Sequence, residues 1–185
     1  MADLTLLDFS KYQPPILNEY RLANAARSLD NIPTKKGGPM KSVLTWKEGM
    51  HFDAVTDNNV VSMDAKTPLG KAQGMTPKEL IAAGLAGCTA MDVVALLKKH
   101  KQAYENFEVL VDITMSTGIQ PSVFTEANLT FVLNGPVDKD VYINAVTLSQ
   151  TKYCGVSAML AKAFPIKYVV NLNNETIGSG SAHFS

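Results

Sequence analysis

The clearest periodic signal in the chain is the run from Pro77 to about His100, in which Leu80 to Leu97 carries almost no charge. Thr76-Pro77-Lys78-Glu79 precedes it and reads as a helix start: a threonine cap, a first-turn proline, and a glutamate at the third helical position completing a capping box. Lys98, Lys99 and Lys101 suit the negative end of the same helix. Upstream, KSVLTWKEG alternates, with Val43 and Thr45 on one face and Leu44 and Trp46 on the other. HFDAV and NVVSMDA follow across the turn cluster DNN, and the three segments predict an antiparallel meander. KTPLGKAQGM reads as a loop.

Beyond the long helix, FEVLVDITMS and VFTEANLTFVLNG predict two more strands, separated by a loop at GIQPS. Asp138 to Gln150 is amphipathic, with Val141, Ala145 and Leu148 on one face, and a second short helix is expected to start near Cys154. IKYVVNLN predicts the last strand, and GSGSAHFS reads as a frayed tail. Strands and helices are segregated rather than strictly alternating, so the fold class is α+β. Residues 1–40 read as a helical extension from Pro14-Pro15 to Leu29 plus the linker IPTKKGGPM, and residues 41–185 as the main domain.

Composition narrows the function classes. At 185 residues the chain is long enough to build a core without disulfide staples. Lys+Arg and Asp+Glu are each 17, which gives no general attraction to nucleic acid or to an anionic membrane surface. Two cysteines are too few for a secreted disulfide scaffold, and MADLTLLDFSKYQPP lacks the pattern of a signal peptide, so a cytoplasmic location is expected. Gly84, Gly87, Thr89 and Asp92 argue that Leu80 to Leu97 is a helix buried within protein and not a membrane span. Two cysteines and three histidines show no CxxC or HExxH spacing, so neither a metal nor a cofactor is expected.

The chemistry therefore turns on the two cysteines. On a helix, Cys88 shares its face with Ile81, Gly84, Leu85, Asp92 and Ala95; the small residues suit close approach of another helix. A buried cysteine commonly serves as a small hydrophobe, and that reading stands beside a reactive one. Asp92, one turn on, disfavours the Cys88 thiolate unless a cation intervenes; Lys71, Lys78, Arg21, Arg27 and His51 are the candidates. Cys154 stands at an expected helix start, beside Lys152, where unpaired N–H groups lower a thiol pKa. The bland alternative is that Tyr153 and Cys154 plug a helix junction.

PKELIAAGLAGCT and YCGVSAML together resemble the OsmC/Ohr family of organic hydroperoxide and osmotic-stress proteins, in its OsmC-like branch with MDVV and VSAML. The resemblance runs from about Lys41 to Asn173 and takes in WKEGMHF and VFTEANLTFVL. It implies antiparallel sheets packed around a long central helix in an intertwined homodimer. It also implies a thiol peroxidase with Cys88 peroxidatic and Cys154 resolving. Cys88 would become a sulfenic acid, condense with Cys154 to a disulfide, and be regenerated by a dithiol such as a lipoyl group. The substrates would be organic hydroperoxides, with hydrogen peroxide as a second candidate.

The family's arginine and glutamate partners are altered here. The arginine position falls near Met50 or His51, and the glutamate position on Lys78, with Glu79 one residue later and pointing away from the Cys88 face. Gly155 stands where a proline is common. Two other readings remain: a protein of the same fold that binds a small apolar ligand at the dimer interface, and an interaction module that docks a partner through its N-terminal helix.

Overall fold

The computed structural model describes residues 40–56 and 59–184. The expected N-terminal extension, with Arg21 and Arg27, and part of the DNN turn lie outside them. The described residues divide into two compact units, one up to Gly74 and the other from Met75.

In the first unit, β1 (Ser42–Glu48), β2 (His51–Thr56) and β3 (Asn59–Met63) form the expected antiparallel meander in the order β1-β2-β3. Leu44 pairs with Ala54 and Val61 with Ala54 from the other side, so alternate residues share a face. Val43, Leu44, Trp46, Val60 and Val61 remain exposed. The loop after β3 wraps around Asp64, whose buried carboxylate accepts backbone N–H groups from Ala65, Lys71 and Gln73 at 2.8, 3.0 and 3.1 Å. These bonds hold the Asp64 carboxyl below its usual range despite burial.

The second unit is built on α1 (Pro77–Lys99), β4 (Asn106–Met115), β5 (Phe124–Asn134), α2 (Lys139–Leu148), α3 (Gly155–Leu160), β6 (Ile166–Leu172) and β7 (Glu175–Ser181). α1 starts at the predicted capping box: Glu79 N–H donates to Thr76 Oγ1 at 3.3 Å, and Thr76 N–H donates to Glu79 Oε2 at 2.8 Å. The sheet order is β4-β5-β6-β7. β4–β5 and β6–β7 are antiparallel, while β5–β6 is parallel. A parallel neighbour requires a crossover, and α2 and α3 supply it.

Ala127, Leu129, Phe131 and Leu133 of β5 alternate inward. In register beside them, Ala127 meets Ile166, Leu129 meets Tyr168 and Phe131 meets Val170. Leu85, Val93 and Leu97 of α1 and Tyr142, Ala145 and Val146 of α2 complete this core. Full burial of each large aliphatic side chain is worth about 1.5–3 kcal/mol, so this layer is the main apolar source of stability in the unit.

Two expectations change. GSGSAHFS is not a frayed tail, because Glu175–Ser181 forms β7 against β6. The signal was the two-residue loop Asn173-Asn174, whose φ values of 51° and 68° mark a type I′ hairpin turn. The glycines belong to the strand: Gly180 pairs with Tyr168, and a Cβ there would strike the Tyr168 ring. The second change concerns α1. Its apolar window has a mean hydropathy of 2.0, long and apolar enough by length and composition to cross a membrane, yet only 22% of it is buried. Leu85, Thr89, Val93 and Leu97, four residues apart, face the core. Ile81 and Met91 remain exposed, Met91 at 74%. The expected burial is thus met on one face only.

Thr76→Ala removes the acceptor for the third helical N–H while leaving Glu79 in place. It is expected to lower unfolding stability by about 1 kcal/mol, read from the urea midpoint at unchanged m-value.

Candidate functional site

α1 carries Cys88 and Asp92 one turn apart. Cys154 arrives from the other side, on the chain between α2 and α3. After Leu148 the helix widens into a π-helical turn, Ser149–Tyr153, which closes with Cys154 N–H donating to Ser149 O at 3.0 Å. Cys154 then turns extended (φ −71°, ψ 100°) and caps α3, its Sγ accepting from Ser157 N–H at 3.3 Å. The result is that Cys88 Sγ, Cys154 Sγ and an Asp92 carboxylate oxygen all lie within 4.8 Å of one another. Both cysteines are reduced, Cys88 partly buried and Cys154 fully buried.

A polar chain fastens this arrangement. Gln150 Nε2 donates to Thr89 Oγ1 at 2.7 Å, and Thr89 and Ser149 hydroxyls meet at 2.8 Å. Ser149 Oγ donates to Asp92 Oδ2 at 3.0 Å. A hydroxyl has one hydrogen, so Ser149, which spends its own on Asp92, accepts from Thr89. The direction is therefore Gln150 to Thr89 to Ser149 to Asp92. Thr89, Ser149 and Gln150 are fully buried, where each satisfied bond is strengthened by the low local dielectric.

Burial dominates the site's electrostatics. It pushes the Asp92 carboxyl above its usual range, with the Ser149 hydroxyl opposing. It also pushes the Cys154 thiol up, against its contacts with Ser157, and the neighbouring Cys88 adds to the rise. The expectation that a helix start lowers the Cys154 pKa is therefore overturned. α3 has six residues and offers the sulfur one backbone N–H, which does not offset removal of the thiolate from water. The Ser157 hydroxyl is buried without a partner of good geometry and is free to turn to that sulfur.

The other candidates are placed differently. Lys78 Nζ donates to Ser122 O at 2.8 Å, and ten residues of helix put its backbone about 15 Å along the axis from Cys88. Glu79 serves the capping box. Lys71 pairs with Glu48 at 2.7 Å in the first unit. His51, also in that unit, has Nε2 3.7 Å from Asp53 Oδ1. With Glu48, Asp64 and Lys71 it lines a cavity of about 240 Å³. Arg21 and Arg27 are outside the described residues. Among the described residues, the carboxylate of Asp92 meets a hydroxyl, not a cation.

Sequence reasoning found both cysteines but treated Asp92 as an obstacle, and it missed Thr89, Ser149 and Gln150 as a unit. The available signal was polar side chains at otherwise apolar helix positions, where burial demands a partner.

A family model described as "OsmC-like protein" matches residues 70–169. Protein YhfA of Escherichia coli strain K12 is 32% identical over 131 residues, covering 70% of this chain and 95% of that one. Among solved structures, an OsmC-like protein from Mycoplasma pneumoniae superposes with TM-score 0.64 at 18% identity, covering 74% of this chain and 99% of that one. An organic hydroperoxide resistance protein, OsmC, from Legionella pneumophila gives TM-score 0.56 at 16% identity, with coverage of 74% and 99%. At these identities the structural matches establish the α+β fold.

The raised Asp92 carboxyl fixes a pH dependence. The folded protein holds that proton more tightly than the unfolded chain, so the ionised group weighs against folding above the carboxyl range. Asp92→Asn keeps an acceptor for Ser149 and removes the charge. Its Tm is expected to exceed that of the parent at pH 7, with the difference shrinking below about pH 4, where the unfolded carboxyl is itself protonated. An unchanged or lowered Tm at pH 7 in thermal scans contradicts this.

Proposed function

Because the chain belongs to the OsmC-like family, we propose that it is a thiol-dependent peroxidase acting on organic hydroperoxides, with Cys88 peroxidatic and Cys154 resolving. The observation that carries this reading is the proximity of two sulfurs far apart in sequence, each on a hydrogen-bonded framework. Their exposures divide the roles. Partly buried Cys88 is reachable by a peroxide, whereas fully buried Cys154 is reachable only by its neighbour.

The Cys88 sulfur attacks the terminal peroxide oxygen and breaks the O–O bond. Asp92 takes the thiol proton and returns it to the departing alkoxide, yielding an alcohol and a Cys88 sulfenic acid. Its raised pKa suits a group that must both accept and release a proton. The Cys154 thiol then displaces the sulfenic oxygen as water and leaves a Cys88–Cys154 disulfide. A dithiol reductant, lipoyl or other, exchanges with that disulfide and restores both thiols. Asp92 thereby assumes part of the work of the family's Arg/Glu pair, whose sequence positions are altered here. The setting is cytoplasmic, where such reductants keep thiols reduced.

The exposed face of α1, with Ile81, Gly84 and Met91, supports a homodimer in which a second copy covers it. The same face favours the second reading, a protein that binds a small apolar ligand at the interface between copies, its thiols unused.

Reduced protein treated with cumene hydroperoxide is expected to lose two thiols per chain; Cys88→Ser abolishes the loss. Cys154→Ser is expected to accumulate a sulfenic acid that a dimedone-type probe captures. Thiols unchanged in excess peroxide contradict the enzymatic reading, and an apolar molecule retained in native mass spectra then favours binding. Light scattering on a sizing column is expected to give twice the chain mass; a monomer contradicts the dimer.

A further inference from the structure

Cys88, Asp92 and Cys154 have a second chemistry that does not depend on peroxide. Two sulfurs and a carboxylate oxygen within 4.8 Å of one another form a mixed, convergent donor set. Tetrahedral zinc takes sulfur at about 2.3 Å and carboxylate oxygen at about 2.0–2.2 Å, which places such donors roughly 3.5–4 Å apart. Drawing in three side chains by less than about 1 Å reaches that spacing, and rotamer adjustment without backbone movement supplies such a shift. Cys88 and Asp92 lie four residues apart on one helix, the same one-turn relation that lets paired ligands of a helical zinc motif share an ion.

The surroundings match what a metal site needs beyond its ligands. Ser149 Oγ holds Asp92 Oδ2 at 3.0 Å and so orients the carboxylate. Ser157 N–H points at Cys154 Sγ from 3.3 Å and stabilises negative sulfur. Two of the three donors thus have a supporting hydrogen bond already in place. The search for local CxxC or HExxH spacing could not reveal this set, because the third donor comes from another element.

We propose that the reduced protein binds one Zn²⁺ per chain through Cys88, Asp92 and Cys154, with the fourth position left for water. Two thiolates and a carboxylate favour this borderline divalent ion over Mg²⁺ or Ca²⁺, which prefer oxygen donors. Binding ties up both sulfurs, so zinc and the Cys88–Cys154 disulfide exclude one another. Zinc thereby shields the thiols from oxidation until it is removed.

The test titrates the full-length, reduced, metal-free chain with Co²⁺, then displaces it with Zn²⁺. The expected result is a near-ultraviolet thiolate-to-cobalt charge-transfer band that saturates at one ion per chain. The band is lost in Cys154→Ser and in protein oxidised to the disulfide. Zn²⁺ competition against a chromophoric chelator is expected to show Asp92→Asn about tenfold or more weaker, with far-ultraviolet circular dichroism confirming that it folds. Absence of the band, or a band of equal strength in Cys154→Ser, overturns the proposal. Peroxide-dependent thiol loss in the metal-free protein is measured separately. Success there with no cobalt band removes only the zinc site, and a cobalt band without thiol loss removes only the peroxidase reading.

Discussion

The fastening of the π-helical turn Ser149–Tyr153 to the middle of α1 is the constraint on which the site depends. Three buried polar side chains do it, and the chain they form has a single direction, from the Gln150 amide to the Asp92 carboxylate. An apolar contact at the same place would bury comparable area without fixing rotation or register. A hydrogen-bonded clasp fixes both, because an unmade bond leaves a desolvated donor or acceptor at a cost of about 1–3 kcal/mol. Once Ser149 is held against Thr89 and Asp92, the turn that follows delivers Cys154 to the level of Cys88. The two sulfurs are neighbours because the hydroxyls beside them are fastened together.

That clasp also explains why the electrostatics are neutral in character. Among the described residues no cation meets Asp92, and burial raises both the Asp92 carboxyl and the Cys154 thiol. The protons of the cluster are therefore held beside two groups, Asp92 and Cys154, that resist ionisation. Such a site suits chemistry in which a proton is passed within the cluster, or in which a divalent cation replaces protons. It suits less well a permanently exposed thiolate of the kind a fixed arginine would sustain. Proposed peroxide reduction and zinc binding are thus alternative ways of discharging the same crowded set of donors.

Much of the fold was legible because it rests on local chemistry. Thr76, Pro77 and Glu79 wrote the start of α1 in adjacent letters, and the alternating apolar residues of β5 set its inward face. The hairpin to β7 was hidden by Gly178 and Gly180, which look like a tail, although Gly180 makes room for the Tyr168 ring. The half-covered state of α1 was not legible either, since composition reports how apolar a helix is and not which face finds a neighbour. Within the site, Cys88 and Cys154 stood out as the chain's two cysteines, and their paired roles came from motif resemblance. Their effective partners did not, because Ser149 reaches Asp92 across a crossover that no local spacing encodes. Lys78 shows the reverse: a cation near in sequence, directed by the helix toward Ser122 and away from the sulfurs.

Cys88 and Cys154 of one chain are neighbours without any rearrangement of the fold. Oxidising the reduced protein with one equivalent of diamide, which needs no peroxide chemistry, and mapping the peptides under non-reducing conditions checks this proximity. The expected product is a Cys88 peptide joined to the Cys154 peptide of the same chain, formed at protein concentrations too low for cross-linking between copies. Both cysteines left free, or linked only between chains in a concentration-dependent way, would contradict it.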